Sequence, residues 1–267
     1  MKNEITEQSY WDNLWKKSKK KNLLDINNSS VYNYVFLEQH KYFKTIFKDI
    51  DTKGKKLLEI GCGDSVWLGY FKKQYDFDIV GLDYSEAGCN NVKELLKKNN
   101  IESKIVCADL FNPPNDLLGQ FDYVVSFGVM EHFKDTPEVI KAFHKFLKYD
   151  GMVITNIPNM SGLIGIITKI TNKEIYNIHN PLSKNDFEMA CHKANVEIID
   201  TKYFLSNNFG VLNSETLSGY KYIVVKIINA ILSRISLGIF LFEKYLFKLP
   251  TSKIFSPYIH IITKNKG

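Results

Sequence analysis

From residue 56 onward, short apolar runs alternate with segments whose apolar residues recur at helical intervals. The runs that predict strands are KLLEIG, FDIVGLD, SKIVCAD, FDYVVSFG, GMVITNIP, VEIIDTKYFL and PYIHIITKNK. The intervening segments that predict helices are 66–75, 86–99, 136–147 and 183–194. Strands that alternate with helices at this spacing indicate βαβ units and a parallel sheet covered on both faces. The sequence therefore predicts a doubly wound α/β fold whose seventh strand is antiparallel.

The chain before this alternation predicts a helical extension, residues 1–50. Residues 31–50 place apolar side chains at helical intervals, which indicates an amphipathic helix. Tyr10, Trp11 and Trp15 precede it. These aromatic side chains predict either a lid over a bound cofactor or a helix packed on the domain.

The segment 206–255 is too long for a connecting turn and predicts a helical insert before the last strand. It divides the main domain into residues 51–205 and 256–267. Its apolar stripe follows helical spacing at Val224, Ile227, Ile228, Ile231, Leu232 and Ile235. Three roles remain open: a cap over an acceptor pocket, a homodimer interface, or a helix lying on a membrane. A buried cap or interface is favoured because such stripes are more often covered by protein.

Composition excludes several classes. The hydrophobic content of 45% and charged content of 24% are ordinary for a soluble globular protein. Of the 35 basic residues only Arg234 is an arginine, which argues against a nucleic-acid partner. The N-terminus has no apolar core of a secretory signal, and no window approaches about 18 apolar residues without a charge. Four scattered cysteines without a CxxC pair predict reduced, buried thiols and a cytoplasmic protein.

The stretch LLEIGCGDS predicts a ligand-binding turn after the first strand. In an open parallel sheet, ligands bind beyond the carboxyl ends of the strands. Gly61 and Gly63 let the backbone approach a ligand, but Val66 stands where a dinucleotide fingerprint needs its third glycine. Glu59 and Asp64 would repel a pyrophosphate. This turn therefore suits a ligand with a positive end, such as S-adenosylmethionine, better than NAD or FAD.

Four motifs in register, LLEIGCGDS, VGLDYS, CADLF and FGVMEHF, resemble the class I S-adenosylmethionine-dependent methyltransferases. The branch with the ubiquinone-biosynthesis O-methyltransferases is the most similar, over roughly residues 50–205 and the last strand. The resemblance implies a Rossmann-like fold with Asp83 on the ribose hydroxyls. The residues that it implies as cofactor contacts are Glu59, Gly61, Cys62, Gly63, Asp83, Tyr84, Asp109, Leu110, Phe127 and Gly128.

Two histidines are candidates for the base that would deprotonate a hydroxyl acceptor. His132 follows the fourth strand, and its alternative role is to hold the loop together through hydrogen bonds. His179 follows the fifth strand, and its alternative role is to cap the helix that starts near Ser183. The similar ubiquinone branch resembles ExxEH at this point and holds a divalent metal with it. Gly128 replaces the first glutamate here, so we expect no metal.

The predicted function is methylation of a small molecule with S-adenosylmethionine as cofactor. We favour an oxygen of a sugar, a nucleotide-activated intermediate or a phosphate-bearing metabolite as acceptor. The NPPY or DPPY run typical of amide N-methylation is absent after the fourth strand, where SFGV stands. A membrane-docked quinone or lipid O-methyltransferase and a non-catalytic cofactor-binding partner are the alternatives.

Overall fold

The computed structural model describes residues 4–212, 214 and 216–266. Residues 1–3 of the predicted extension, 213 and 215 of the predicted insert, and 267 lie outside this part. The described strands are β1 (Lys56–Ile60), β2 (Asp78–Asp83), β3 (Lys104–Cys107), β4 (Phe121–Phe127), β5 (Leu147–Pro158), β6 (Val196–Phe204) and β7 (Tyr258–Asn265). The described α-helices are α1 (Gln8–Lys16), α2 (Tyr34–Ile46), α3 (Trp67–Tyr75), α4 (Glu86–Lys98), α5 (Thr136–His144), α6 (Leu163–Thr171), α7 (Lys173–Asn177), α8 (Lys184–Ala194) and α9 (Gly219–Tyr245).

The seven strands form one sheet in the order β3-β2-β1-β4-β5-β7-β6. The pairs among β1 to β5 are parallel, whereas β7 runs antiparallel between β5 and β6. The predicted doubly wound sheet with an antiparallel last strand is confirmed. The strand order reverses between β1 and β4, which places the ligand crevice beyond their carboxyl ends.

Helix ends follow local chemistry more closely than apolar spacing. The helix predicted over 136–147 ends at His144, because the chain turns into β5 and Leu147 pairs with Phe121 of β4. The helix predicted from Ser183 is confirmed, with a capping box between the Ser183 and Asp186 side chains and backbones. Within the predicted helix 31–50, the α-helical part is α2 alone.

Two separate apolar clusters cover the two faces of the sheet. On one face, α5 and α8 contribute side chains such as Phe143 and Phe187. On the other face, α2, α3 and α4 contribute side chains such as Phe43 and Phe71. All four phenylalanines have no measurable solvent exposure. Burial of this kind, worth about 1.5–3 kcal/mol per large apolar side chain, holds the strands that form the crevice.

The structure corrects two expectations from the sequence. No membrane-spanning segment was expected from the sequence, because charged residues interrupt every apolar window of about 18 residues. By length and composition, however, helix α9 is long and apolar enough to cross a membrane. The thiols of Cys62, Cys89 and Cys191 are buried as expected, but Cys107 is exposed because it ends the edge strand β3.

Candidate active site

A cavity of about 290 Å³ lies beyond the carboxyl ends of β1, β2 and β4. Its walls come from the glycine turn after β1, the ends of β2 and β4, and the N-terminal extension. The lining residues that the sequence predicted are Glu59, Gly61, Gly63, Asp83, Tyr84, Asp109, Leu110, Phe127, Gly128 and His132. The fold therefore brings residues from four separate motifs to one crevice.

The glycines after β1 are required by the backbone. Gly61 has a φ of +74°, and a Cβ there would lie 2.2 Å from Cγ2 of Val129. A Cβ on Gly63 would lie 2.7 Å from Oδ2 of Asp83. Neither position admits a larger residue without displacing a neighbour that itself lines the cavity. The turn can therefore bring its backbone against a ligand, as the sequence predicted.

Asp83 is fixed at the end of β2 by two backbone donors. The amide of Gly63 donates to Oδ2 and the amide of Ser85 donates to Oδ1, both at 2.7 Å. Burial raises the pKa of Asp83 to about 6, and these two hydrogen bonds act in the opposite direction. Each carboxylate oxygen keeps a lone pair for a further donor, so a bidentate contact with ribose hydroxyls remains open.

Glu59 is almost fully buried below the glycine turn, and it lines the cavity. Its Oε1 accepts a hydrogen bond of 2.6 Å from the Ser65 hydroxyl. Its Oε2 is buried and has no hydrogen-bond partner in the described chain. Burial raises the pKa of Glu59 to about 8, against the lowering effect of the Ser65 hydrogen bond. A cationic ligand group would supply what this carboxylate lacks.

The negative charge expected at Asp64 is offset within the protein. Lys21 Nζ lies 2.8 Å from Oδ2 of Asp64 and also donates to its backbone carbonyl. The Ser18 hydroxyl donates to the same carboxylate. The prediction that Asp64 helps to repel a diphosphate is therefore corrected, because the N-terminal segment that folds across the turn brings a lysine to it. Glu59 and Asp83 also line the cavity, and Lys21 lowers the pKa of Glu59 only as a minor contribution against burial.

Part of the cavity lining is aromatic and includes the predicted contact Phe127. Phe127 stacks on Trp67 with ring centroids 4.7 Å apart, which makes a flat apolar surface. The prediction for Cys62 needs correction, because its side chain has no measurable exposure and does not line the cavity. Its sulfur packs beneath the turn against Gly81 of β2. Cys62 therefore supports the turn from the core.

Helix α1 lies across the crevice, and Trp11 and Trp15 both line the cavity. Their rings stack with centroids 5.8 Å apart. The helix is held to α4 by Asp12, which accepts hydrogen bonds from the Ser85 hydroxyl and the Ala87 amide. Tyr10, the third aromatic residue of the predicted lid, contacts the ring of Trp11 and does not line the cavity.

His132 is the predicted base that reaches the cavity. Its Nδ1 hydrogen-bonds to the carbonyl of Ile178 at 2.7 Å, which leaves Nε2 as the acceptor nitrogen. Burial lowers the pKa of His132 to about 3, with a smaller lowering contribution from His179. The imidazole is therefore neutral at physiological pH. The ring of Trp11 lies edge-on to it, with centroids 4.9 Å apart.

His179 lies behind His132, with ring centroids 4.7 Å apart, and does not line the cavity. Its Nδ1 hydrogen-bonds to the carbonyl of Ile175, so it does not cap α8 as the alternative role required. Glu131, His132 and His179 offer ligand atoms within 4.8 Å of one another, which is a set that could hold a metal ion. Burial raises the pKa of Glu131 to about 8, which favours its neutral form. The sequence-based expectation of no metal stays a prediction.

Sequence reasoning missed several lining residues that no motif marks. Thr6, Lys21 and Trp67 line the cavity. Thr6 and Lys21 reach it because the extension folds back, which no spacing in the sequence indicates. Val129 and Phe133 belong to the motif FGVMEHF and also line the cavity; Val129 lies in the segment 127–129 that the family resemblance implies as a cofactor contact, whereas Phe133 was not singled out.

Comparison with known proteins identifies related sequences and folds. The sequence profile of a methyltransferase domain matches residues 35–201. The chain is 31% identical to the ribosomal protein L11 methyltransferase of Thermosipho africanus over 50% of this chain and 46% of that protein. It is 23% identical to the ubiquinone biosynthesis O-methyltransferase of Neisseria meningitidis over 61% of this chain and 74% of that protein. The chain thus spans about half the length of the first of these relatives.

The geranyl diphosphate C-methyltransferase of Streptomyces coelicolor has a similar fold. Its crystal structure, which contains S-adenosyl-L-homocysteine, superposes with a TM-score of 0.58 and 13% identity over 97% of this chain and 98% of that one. The cavity described above fits S-adenosylmethionine, because Glu59 offers a buried carboxylate oxygen to an ammonium and Asp83 offers two oxygens to a ribose. The chain belongs to the family of methyltransferase domains, and its cofactor is S-adenosylmethionine.

Proposed function

We propose that the protein transfers a methyl group from S-adenosylmethionine to an oxygen of a small molecule. The observation that carries this proposal is that two carboxylates and a neutral imidazole line the same cavity. Glu59 and Asp83 line the cavity, where they suit the charged and ribose parts of the donor, and His132 lines it too. The imidazole of His132 is neutral at physiological pH. The donor would supply a methyl carbon for in-line attack by the acceptor oxygen, with the carbon–sulfur bond breaking and S-adenosylhomocysteine leaving as a neutral thioether.

The residues of this chain would bind and orient the reactants and exclude water. Trp11 and Trp15 cover the cavity, and their rings attract a cationic sulfur through the quadrupole. Orientation and exclusion of water are worth up to about 7–11 kcal/mol of the barrier in well-aligned reactions. The extension would therefore act as part of the active site and supply the lid that the sequence predicted.

His132 would accept the proton of the acceptor hydroxyl at Nε2. The hydrogen bond from Nδ1 to the Ile178 carbonyl holds the ring in the tautomer that this role needs. His179 would act as a positioning residue, because it touches His132 and not the cavity. The lowered pKa makes the imidazolium costly, so the proton would pass on to solvent as turnover proceeds.

The acceptor would be small. A cavity of about 290 Å³ is at the lower end of ligand pockets, and the donor takes up much of it. A hydroxyl on a sugar, on a nucleotide-activated intermediate or on a phosphate-bearing metabolite would be the acceptor, with only the reacting part of a larger molecule inside the cavity. A lipid or quinone with a polar head is a second candidate, supported by the exposed apolar helix α9.

The test is formation of S-adenosylhomocysteine from S-adenosylmethionine in the presence of candidate acceptors from each class. His132→Ala should lower kcat by about 10²–10⁴-fold without changing the dissociation constant of S-adenosylhomocysteine. His179→Ala should lower kcat less, and His192→Ala, on the surface of α8, is the control. Full turnover by both His132→Ala and His179→Ala would remove the base from the proposal. No turnover with any acceptor class, despite tight cofactor binding, would favour the non-catalytic alternative.

A further inference from the structure

Helix α9 carries its polar side chains toward the protein and its large apolar side chains toward solvent. The groups that face the domain include Asn229, Ser236 and Glu243, and the last two are buried. The exposed apolar side chains on this helix are Tyr220, Ile223, Val224, Ile227, Ile228, Ile231, Ile235, Leu241 and Tyr245. A surface helix of a soluble protein has the opposite arrangement. A continuous apolar face of this size indicates an interaction surface.

The apolar surface extends beyond the helix. Leu246 and Phe247 follow it directly and are exposed, as are Ile254 and Phe255 in the loop that leads to β7. The Ile254 carbonyl accepts a hydrogen bond from Leu163, which joins this loop to α6. Helix α6 adds exposed side chains at Ile166 and Ile170. We call the exposed apolar residues of α6, α9 and 246–255 the apolar platform.

Helix α9 is attached to the domain along its length. Ser236 Oγ accepts a hydrogen bond from the Phe209 amide at 2.8 Å, and Phe240 stacks on Tyr34 with centroids 4.5 Å apart. Glu243 accepts hydrogen bonds from the Tyr34 hydroxyl and the Leu249 amide. The strands before and after the helix, β6 and β7, pair with each other in one sheet. A helix crossing a bilayer would separate these strands by about 30 Å, so α9 can lie only parallel to such a surface.

The charged side chains of residues 216–255 are almost all positive, although Lys248 is paired with Glu38 at 2.8 Å. Residues 216–255 contain the basic side chains Lys221, Lys226, Arg234, Lys244, Lys248 and Lys253 and a single acidic one, Glu243. Glu243 is buried against Tyr34 and does not face the platform. Two copies of this surface would bring like charges together, which opposes a symmetric dimer. An anionic phospholipid surface instead complements both the apolar side chains and the basic rim.

We propose that the apolar platform docks the protein on an anionic membrane, with α9 lying in the plane of the interface. The sequence favoured a covered cap or interface for this stripe. The cap is not supported, because none of the described cavity-lining residues comes from 206–255 and all members of the stripe except Leu232 are exposed in the single chain, so the stripe is open to a partner surface. Tyr220 and Tyr245 of α9 are exposed, and their amphipathic rings suit the headgroup level of a bilayer. The proposal is independent of the methyl acceptor and goes beyond the reaction.

The test is co-sedimentation of the purified chain with sucrose-loaded vesicles of phosphatidylcholine, with and without 30% phosphatidylglycerol. We expect binding to the anionic vesicles that weakens with added salt. The double variant Ile227→Asp, Ile231→Asp should lose binding by more than tenfold. Ile199→Asp, at an exposed isoleucine of β6 outside the platform, is the matched control and should bind as the wild type. Lys221→Gln with Lys226→Gln should weaken binding by about 30-fold at low salt, from about 1 kcal/mol per lysine.

Calorimetry with S-adenosylhomocysteine separates loss of docking from loss of fold, since the cavity and the platform share no residues. Unchanged cofactor affinity in Ile227→Asp, Ile231→Asp, together with loss of vesicle binding, supports the proposal. No sedimentation of the wild type with anionic vesicles would overturn it. Equal binding of the wild type and the double variant would overturn it as well. A wild-type dimer that the double variant dissolves, without vesicle binding, would assign the platform to a second copy.

Discussion

Glu59→Gln should make the protein more stable and weaken its hold on the cofactor. The pKa of Glu59 is raised from 4.5 to about 8 by burial, so the folded state binds a proton that the unfolded state releases. Stability is therefore lost as pH rises from about 4.5 to 8, and the cost at pH 7 is about 3 kcal/mol. Glutamine is neutral and keeps an oxygen for the Ser65 hydroxyl. Urea unfolding should show a gain of about 3 kcal/mol at pH 7 and less than 1 kcal/mol at pH 5.

Cofactor affinity should change in the opposite direction. An ammonium bound to the Glu59 carboxylate is a charge-assisted contact worth about 1.5–3 kcal/mol, so above pH 8, where Glu59 is ionised, the variant should bind S-adenosylhomocysteine about 10–150-fold more weakly than the wild type. Binding to the wild type requires Glu59 to lose its proton. The wild-type dissociation constant should therefore fall about tenfold per pH unit between pH 6 and 7.5, and that of Glu59→Gln should not.

Isothermal titration calorimetry measures the affinity of each protein for S-adenosylhomocysteine and its pH dependence. Buffers of different ionisation enthalpy report the proton that Glu59 releases on binding. Glu188→Gln, in a surface ion pair on α8, is the control and should change neither property. Wild-type affinity in Glu59→Gln would refute the role of this carboxylate. An unfolding free energy that is the same for both proteins at pH 7 and pH 8 would refute the raised pKa.

Three further outcomes are expected. Trp11→Ala should weaken S-adenosylmethionine about 2–30-fold and S-adenosylhomocysteine less, because the ring attracts the sulfonium; equal loss for both ligands, by calorimetry, would contradict this. Dialysis against a chelator should leave turnover unchanged, whereas a loss restored by Mn²⁺ would assign a metal to Glu131, His132 and His179. Phe43→Ala should lower the unfolding free energy by about 3–5 kcal/mol in urea, since the ring is fully buried, and a loss below 1 kcal/mol would contradict this.

The sheet and its crevice could be predicted because their determinants are local. Apolar runs of four to eight residues separated by helical segments predict the alternation of strands and helices. The glycines after β1 mark the turn that approaches a ligand. Gly61 has a positive φ, and at both Gly61 and Gly63 a Cβ would lie within 3 Å of a neighbouring side chain, so the glycine pattern in the sequence marks a real backbone constraint. Asp83 followed from its place at the end of β2.

The partners of these residues could not be predicted because they depend on long-range packing. Lys21 neutralises Asp64 only because the extension folds across the turn, and the contact joins segments that are 43 residues apart. Burial raises the pKa of Glu59 to about 8 and lowers that of His132 to about 3, which a sequence cannot show. The stripe on α9 had a clear helical period, but period alone does not reveal whether protein or solvent faces it.

Titration of the purified protein with S-adenosylhomocysteine and, separately, with NADH tests the central claim most directly. That claim is that the crevice between β1 and β4 binds a cationic nucleoside donor and not a dinucleotide. We predict one binding site for S-adenosylhomocysteine, weakened by Asp83→Ala, and no heat with NADH. Tight binding of NADH without binding of S-adenosylhomocysteine would contradict the account.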